Sequence, residues 1–130
     1  MIGLDTNVLV RYITQDGPES ARANALLERK TAGSEAFFIT TITLCELVWV
    51  LNRAYRYRRD QICRILQGVL KTDCFVIESA ELVNEATRHY AKGPADFSDY
   101  LIAQVSRAHG AEPVATFDRK AGTSNLFKRI

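Results

Sequence analysis

The sequence predicts an α/β protein, a three-layer α/β/α sandwich built on a central parallel sheet of four to five strands. Short apolar runs alternate along the chain with longer segments in which apolar residues recur every three or four positions. That alternation is typical of parallel strands joined by crossover helices. The length of 130 residues, 47% of them hydrophobic and 25% charged, fits one folded domain spanning residues 1–130.

Each element follows from a local pattern. The apolar start of the chain is the first strand, and it runs directly into Asp5-Thr6-Asn7. Glycine and proline mark several boundaries, and Gly33 is predicted to end the second helix. Helices are predicted at 7–14, Glu19–Ala32, from the Thr40-Thr41 cap to about 51, from Arg59 onward, at 81–92 and at 96–109; strands at 36–39, 74–77, 113–117 and, as a short edge strand, 126–130.

Composition excludes several classes of protein. A net charge of +2 is too mild to indicate nucleic-acid binding by itself. Cys45, Cys63 and Cys74 are odd in number and lack CxxC spacing, which favours free thiols over disulfides or a zinc site. No apolar run is long enough to span a membrane, and the start of the chain has no leader pattern. We therefore expect a cytoplasmic protein with no membrane partner.

Four acids stand where the pattern of the elements does not require them. Asp5 and Asp118 each follow a predicted strand, and the carboxyl ends of parallel strands share one sheet edge, so the two can converge. Glu46 lies in a strongly apolar helix, and Asp99 lies near the start of another. Each acid also has an ordinary explanation: Asp5 as a helix cap, Glu46 as a surface residue, and Asp99 in a capping box with Asp96.

Taken together, the four acids favour a metal site. Two carboxylates about 4 Å apart repel by roughly 4 kcal/mol at an effective dielectric near 20, so a cluster needs protons or a cation. Oxygen ligands favour Mg²⁺ or Mn²⁺ over zinc. His89 and His109 both lie near predicted helix ends, where capping or surface roles are expected. Bound Mg²⁺ suits phosphate ester hydrolysis.

The sequence resembles the PIN-domain family over essentially its whole length. The residues that carry the resemblance are Asp5-Thr6-Asn7, Glu46, Asp99 within the segment 97–103, and Thr116-Phe117-Asp118. Length and architecture are similar to the VapC-type toxins of toxin–antitoxin modules. The resemblance implies a Mg²⁺- or Mn²⁺-dependent endoribonuclease that leaves a 5′-phosphate and a 3′-hydroxyl.

The same resemblance implies roles for single residues. Asp5, Glu46, Asp99 and Asp118 would form an acidic quartet, with Asp5 and Asp99 the first candidates for direct metal ligands. Asn7 and Thr116 would orient carboxylates or waters, and Asp96 resembles an additional acid. The implied partners are an RNA substrate, a second copy of the chain in a homodimer, and a small antitoxin whose tail blocks the acidic site within a higher hetero-oligomer.

A basic and aromatic run lies between the third and fourth helices. Arginine forks suit phosphates and tyrosines can stack on unpaired bases, which favours single-stranded RNA. A solvated helix end and turn is the stronger interpretation of such a run. Its members are Arg53, Tyr55, Arg56, Tyr57, Arg58 and Arg59. Trp49 and Phe97 are predicted to lie in the core, because each sits among apolar residues at helical spacing.

Two other functions fit parts of the pattern. The first is a different Mg²⁺-dependent phosphohydrolase or a phosphoacceptor domain, but Asp5-Thr6-Asn7 lacks the second aspartate two residues on that the phosphatase pattern uses. The second is a catalytically silent binding module with the same fold. Such a module is expected to have lost one or more of the acids, and all four are present.

Overall fold

A computed structural model of the chain describes residues 1–32 and 35–130, and these residues form six α-helices and five β-strands. The chain divides into two units, Met1–Glu78 and Ser79–Ile130. The predicted helix end at Gly33 lies outside the described residues.

The first unit contains a three-stranded parallel sheet. Strand order follows the sequence, and Phe37 of the central strand is in register with Ile2 on one side and Phe75 on the other. Phe37 and Ile39 are fully buried, so the middle strand lies in the core. The elements are β1 (Ile2–Gly3), α1 (Thr6–Thr14), α2 (Glu19–Ala32), β2 (Phe37–Ile39), α3 (Thr41–Arg53), α4 (Arg59–Lys71) and β3 (Phe75–Ile77).

The second unit pairs two helices with two strands. Rings of Tyr90 and Phe97 meet edge to face with centroids 6.0 Å apart, which joins the end of one helix to the start of the next. The two strands are parallel, with Val114 in register with Phe127. The elements are α5 (Ala80–Lys92), α6 (Phe97–Ala108), β4 (Val114–Thr116), a 3₁₀ turn (Ala121–Thr123) and β5 (Phe127–Arg129).

The predicted α/β class and the parallel strands are confirmed, and the element boundaries agree within a few residues. The sheet of the first unit has three strands rather than the predicted four to five, because β4 and β5 pair with each other in the second unit. Each strand has only two or three residues, so the apolar runs overestimate strand length. The 3₁₀ turn was not predicted, because such single turns carry little periodic signal.

The core position predicted for Trp49 is wrong, whereas the one for Phe97 is confirmed. Trp49 is 62% exposed, and the guanidinium of Arg53 lies over its ring at 5.8 Å. Phe97 is fully buried. Other side chains of α3 occupy its buried face, so Trp49 lies on the exposed face together with Ile42 and Glu46. The buried residues of α3 are Thr43, Leu44, Leu47, Val48 and Leu51.

All three cysteines are free thiols, as the sequence predicted, and Cys63 is buried. Among the residues that the structure describes, no helix combines the length and the apolar character that a membrane crossing requires.

Candidate active site

Asp5 ends the first strand and begins the first helix. The Leu4 N–H donates to the Phe38 carbonyl at 2.9 Å, so the chain is tied to β2 up to the residue before Asp5. Asp5 has extended backbone angles and is the N-cap of α1. Its Oδ1 accepts from the Thr6 N–H at 2.7 Å. Asp5 therefore both follows a strand and caps a helix. Its side chain is exposed, and only one of its two carboxylate oxygens accepts the capping hydrogen bond.

Thr6 joins the first helix to Glu46. Its side chain is nearly buried, at 9% exposure, and its hydroxyl donates to Oε1 of Glu46 at 2.8 Å. The Thr43 hydroxyl reaches the Leu4 carbonyl at 3.5 Å, a weak second link between α3 and the end of β1. These contacts place Glu46 at the same strand end as Asp5.

No role was predicted for Thr6 from the sequence. Its only local signal is a polar β-branched residue in the first turn of a helix, directly after the aspartate. The acceptor is remote in sequence, so that signal could not have identified it.

An open cleft of about 430 Å³ lies over these acids in the first unit. Asn7 lines the cleft with an exposed side chain that makes no hydrogen bond to the part of the chain described. Arg11 Nη1 lies 3.2 Å from Asp16 Oδ2 and 3.3 Å from the Tyr55 hydroxyl, which fixes one wall. The lining residues are Asp5, Thr6, Asn7, Val10, Arg11, Glu46, Val50, Ala54 and Tyr55.

A second cleft of about 470 Å³ lies between α1 and α2. Its acid is Glu19, which pairs with Arg11 at 4.0 Å. A single acid already beside an arginine is a poor cation site, because the arginine supplies the neutralising charge. The cleft over Asp5 and Glu46 is therefore the better candidate within the first unit.

The second unit places three acids near one another. Asp96 is the N-cap of α6, and its N–H donates to Asp99 Oδ2 at 3.3 Å. The capping alternative for Asp99 is therefore correct as a description of the backbone. Burial raises the pKa of Asp99, and the charges of Asp96 and Asp118 raise it further, while the hydrogen bond from Asp96 opposes them. A half-buried carboxylate with two acidic neighbours gains from a cation.

Asp118 lies just after β4 in a tightly bonded turn. Its Oδ1 accepts from the Ala121 N–H at 2.9 Å, and its carbonyl accepts from the Gly122 N–H at 3.0 Å. The Thr116 hydroxyl accepts from the Asp118 N–H at 3.0 Å. Thr116 thus orients the backbone of Asp118 rather than its carboxylate in this structure.

The chemistry of the donors fits a hard cation. Asp5, Glu46, Asp99 and Asp118 each use one carboxylate oxygen in a hydrogen bond, and the second oxygen makes none to any residue in 1–32 or 35–130. Within neither unit do three or more of the described acids, histidines or cysteines form a group that could hold a metal ion by itself. Mg²⁺ needs no such cage, because it keeps several waters and binds through one or two carboxylates.

Neither histidine is a member of the candidate metal site. Nδ1 of His109 lies 2.9 Å from the Val105 carbonyl at the end of α6, and the His89 ring stacks on Tyr100 with centroids 5.7 Å apart. The role predicted near a helix end is confirmed for His109, which is exposed, whereas His89 is partly buried against Tyr100.

The arginines between α3 and α4 differ in their surroundings. Arg53 lies over Trp49, Arg58 pairs with Asp60 at 3.1 Å on an exposed surface, and Arg59 is partly buried. Arg56 is exposed and has a left-handed backbone, with φ of 58°. The rings of Tyr55 and Tyr57 contact each other edge to face at 6.0 Å, and the Tyr55 hydroxyl donates to Asp16. Part of this run therefore has a structural role.

Comparison with known proteins identifies the family. The sequence model of the PIN-domain family matches residues 2–123, which include the four acids and parts of both units. The chain is also similar to the protein named VapC ribonuclease from Aquifex aeolicus (strain VF5), with 25% identity over 117 residues, 90% of this chain and 87% of that relative. No solved structure gives a significant match. The chain belongs to the PIN-domain family.

Proposed function

We propose that this protein is a Mg²⁺- or Mn²⁺-dependent endoribonuclease that acts as the toxin of a toxin–antitoxin pair. Membership of the PIN-domain family and similarity to a protein named VapC ribonuclease support the proposal. The observation that carries it is the Thr6–Glu46 hydrogen bond, which holds a second carboxylate beside Asp5 at the open end of a parallel strand. Ligand sites of parallel sheets occur at such strand ends.

The proposal gives each acid a task. Asp5 and Asp99 would bind the metal directly, and Glu46 and Asp118 would be the other two members of the acidic quartet. Thr6 restrains Glu46, and the bonded turn after β4 restrains Asp118. Asn7 and Asp96 would orient carboxylates or waters, and Thr116 would act through the backbone of Asp118. Such supporting roles commonly account for about 10- to 100-fold in affinity or activity. When bound, the cation would lower the pKa of a water molecule and stabilise charge on the phosphoryl oxygens.

The reaction is hydrolysis of an RNA phosphodiester bond. A water oxygen forms a new bond to phosphorus, the bond from phosphorus to the 3′-oxygen breaks, and that oxygen takes up a proton. The products carry a 5′-phosphate and a 3′-hydroxyl. Arg53, Arg56, Arg58 and Arg59 are proposed to contact RNA phosphates; the exposure of Arg53 and Arg56 supports this.

The partners follow from the same proposal. A homodimer would be neutralised by a small antitoxin whose tail enters the acidic site, and an arginine in that tail could replace the charge of the cation. The toxin–antitoxin complex would be a higher hetero-oligomer. We expect the protein to act in the cytoplasm, where its RNA substrates lie.

The test is cleavage of total RNA and transfer RNA by the purified chain with Mg²⁺ or Mn²⁺, with EDTA, and by the Asp99→Asn variant. We expect cleavage with either metal and loss of cleavage in EDTA. The variant removes a proposed ligand charge, so it should lose more than the roughly 10- to 100-fold that is typical of residues which only support a metal ligand. Cleavage that persists in EDTA would overturn metal dependence. Failure to cleave RNA combined with hydrolysis of a phosphomonoester would instead favour another phosphohydrolase.

A further inference from the structure

Within the part of the chain that the structure describes, Phe117 is the most exposed large apolar side chain, at 80% exposure. It follows β4 directly and immediately precedes Asp118. Burying a phenylalanine side chain is worth about 1.5–3 kcal/mol relative to leaving it in water. The fold gains little of that stabilisation here, so the ring contributes little to the stability of the fold.

The backbone on both sides of the ring is fixed. The Thr116 carbonyl accepts from the Ile130 N–H at 3.0 Å, and the Asp118 N–H donates to the Thr116 hydroxyl at 3.0 Å. Ala121 and Gly122 donate to Asp118 on the other side. Phe117 is therefore presented to solvent from an ordered strand end, which reduces the entropy cost of binding a flat ligand.

Two cations follow the ring. Arg119 and Lys120 are exposed, and within residues 1–32 and 35–130 neither forms an ion pair. The sequence Phe117-Asp118-Arg119-Lys120 thus places an aromatic face, a proposed catalytic acid and two unpaired positive charges in four consecutive residues. Aromatic faces combined with positive charge are the recurring components of single-strand RNA sites.

We propose that Phe117 is a base-stacking subsite: an unpaired RNA base next to the scissile phosphate stacks on its ring while Arg119 and Lys120 contact neighbouring phosphates. This inference rests on the proposed ribonuclease function and adds a residue that positions the substrate. Lys120 and the position of the ring next to the proposed catalytic Asp118 argue for RNA rather than a protein partner, because lysine is depleted at protein interfaces.

The test compares four substitutions at one position: Phe117→Ala, Phe117→Leu, Phe117→Tyr and Phe117→Trp. The probe is a mixed-sequence 12-nucleotide single-stranded RNA and a set of the same RNA with one abasic nucleotide moved along it. Binding is measured with Ca²⁺ in place of Mg²⁺, and cleavage with Mg²⁺. Because stacking on one base has a known range of strength, we expect Phe117→Ala to weaken binding roughly 5- to 150-fold.

Several outcomes separate stacking from other roles. Tyrosine and tryptophan should retain binding, whereas leucine, which keeps apolar area without a ring, should behave like alanine. One abasic position should weaken binding by the wild type but not by Phe117→Ala, and cleavage should show the loss mainly in KM. Full binding by Phe117→Leu would indicate an apolar protein-type contact and overturn the proposal. Equal losses at every abasic position would also overturn it.

The same data distinguish this proposal from the function on which it rests. If the wild type cleaves RNA and Phe117→Ala cleaves it with the same kinetics, the stacking subsite is wrong and the proposed nuclease function still holds. Absence of both RNA binding and cleavage in the folded wild type would remove both.

Discussion

The Thr6 hydroxyl donates a 2.8 Å hydrogen bond to Oε1 of Glu46, 40 residues away in the sequence. Thr6 is nearly buried, whereas Glu46 is exposed, so the bond is anchored on the α1 side and restrains a carboxylate that would otherwise sample several rotamers. It makes the position of Glu46 depend on the residue that follows Asp5.

Replacing Thr6 with valine tests this dependence. Valine keeps the shape of threonine and removes the hydroxyl, so we expect activity or metal affinity to fall about 10- to 100-fold, as for other groups that orient ligands. The free energy of unfolding should change by only about 1 kcal/mol, since one hydrogen bond to a solvated carboxylate is lost. Activity assays and metal titration of the same preparation measure both.

Thr6→Ser is the matched control, because it restores the hydroxyl and should recover most of the activity. Equal activity in Thr6→Val and wild type would show that Glu46 does not need this restraint.

Gly93 is required by close packing against Tyr100 rather than by backbone flexibility. A Cβ at this position would lie 2.9 Å from Cζ of Tyr100 and collide with the Tyr100 hydroxyl. Tyr100 is 1% exposed, and its hydroxyl accepts from the Ala95 N–H, so it cannot move aside cheaply. Gly93→Ala should lower the free energy of unfolding by about 1–3 kcal/mol, measured by denaturant titration.

Gly68 provides the control in α4, where a Cβ meets nothing within 4 Å. Gly68→Ala should raise stability by about 0.5–1 kcal/mol through helix propensity. A stable Gly93→Ala variant would mean that Tyr100 can be displaced without loss.

Much of the fold was accessible from the sequence because its signals are local. Thr40 caps α3 with a 3.1 Å bond to the Thr43 N–H, and Asp96 begins α6, as the residue types indicated. The exposure of Trp49 could not be predicted from the sequence. Which apolar stripe of a helix is buried depends on what packs against it, and apolar spacing in α3 fits more than one stripe.

The candidate site was also predictable only in part. The positions of Asp5 and Asp118 were predictable, because each acid follows a strand and the strands follow from the alternation of elements. The partners of these acids could not be predicted, because the bond from Thr6 to Glu46 and the turn that fixes Asp118 depend on tertiary placement. Thr116 illustrates the limit: its hydroxyl bonds the Asp118 backbone, a detail that residue type alone does not specify.

Added metal should stabilise the native protein if the acids bind it. At ten times the dissociation constant, Mg²⁺ should add roughly 1.4 kcal/mol to the free energy of unfolding by mass action. Thermal melts at matched ionic strength, with and without Mg²⁺, measure this increment. Asp99→Asn should lose most of it, and an unchanged wild-type midpoint at saturating Mg²⁺ would contradict binding.

Asp99 should also give the metal-free protein a distinctive pH dependence. Its pKa is raised, first by burial and then by Asp96 and Asp118. The native state therefore holds this proton at pH values where the unfolded aspartate, with a pKa of about 3.9, has already released it. Stability should fall as pH rises from that value through the native pKa of Asp99, and the loss should then remain constant.

The comparison of Asp99→Asn with Glu78→Gln isolates this effect, because Glu78 has the opposite shift. The Thr41 N–H and hydroxyl, at 2.8 and 2.9 Å, lower the pKa of Glu78, so its contribution is present above the unfolded glutamate pKa and is lost as pH falls through the native one. The free energy of unfolding is measured in EDTA between about pH 3 and 8. As the pH rises, Asp99→Asn should become more stable relative to wild type, and Glu78→Gln should become less stable relative to wild type. Asparagine can still accept the hydrogen bond from Asp96, so the cap of α6 survives the substitution. Parallel curves for Asp99→Asn and wild type would show that Asp99 has an unshifted pKa in the folded protein.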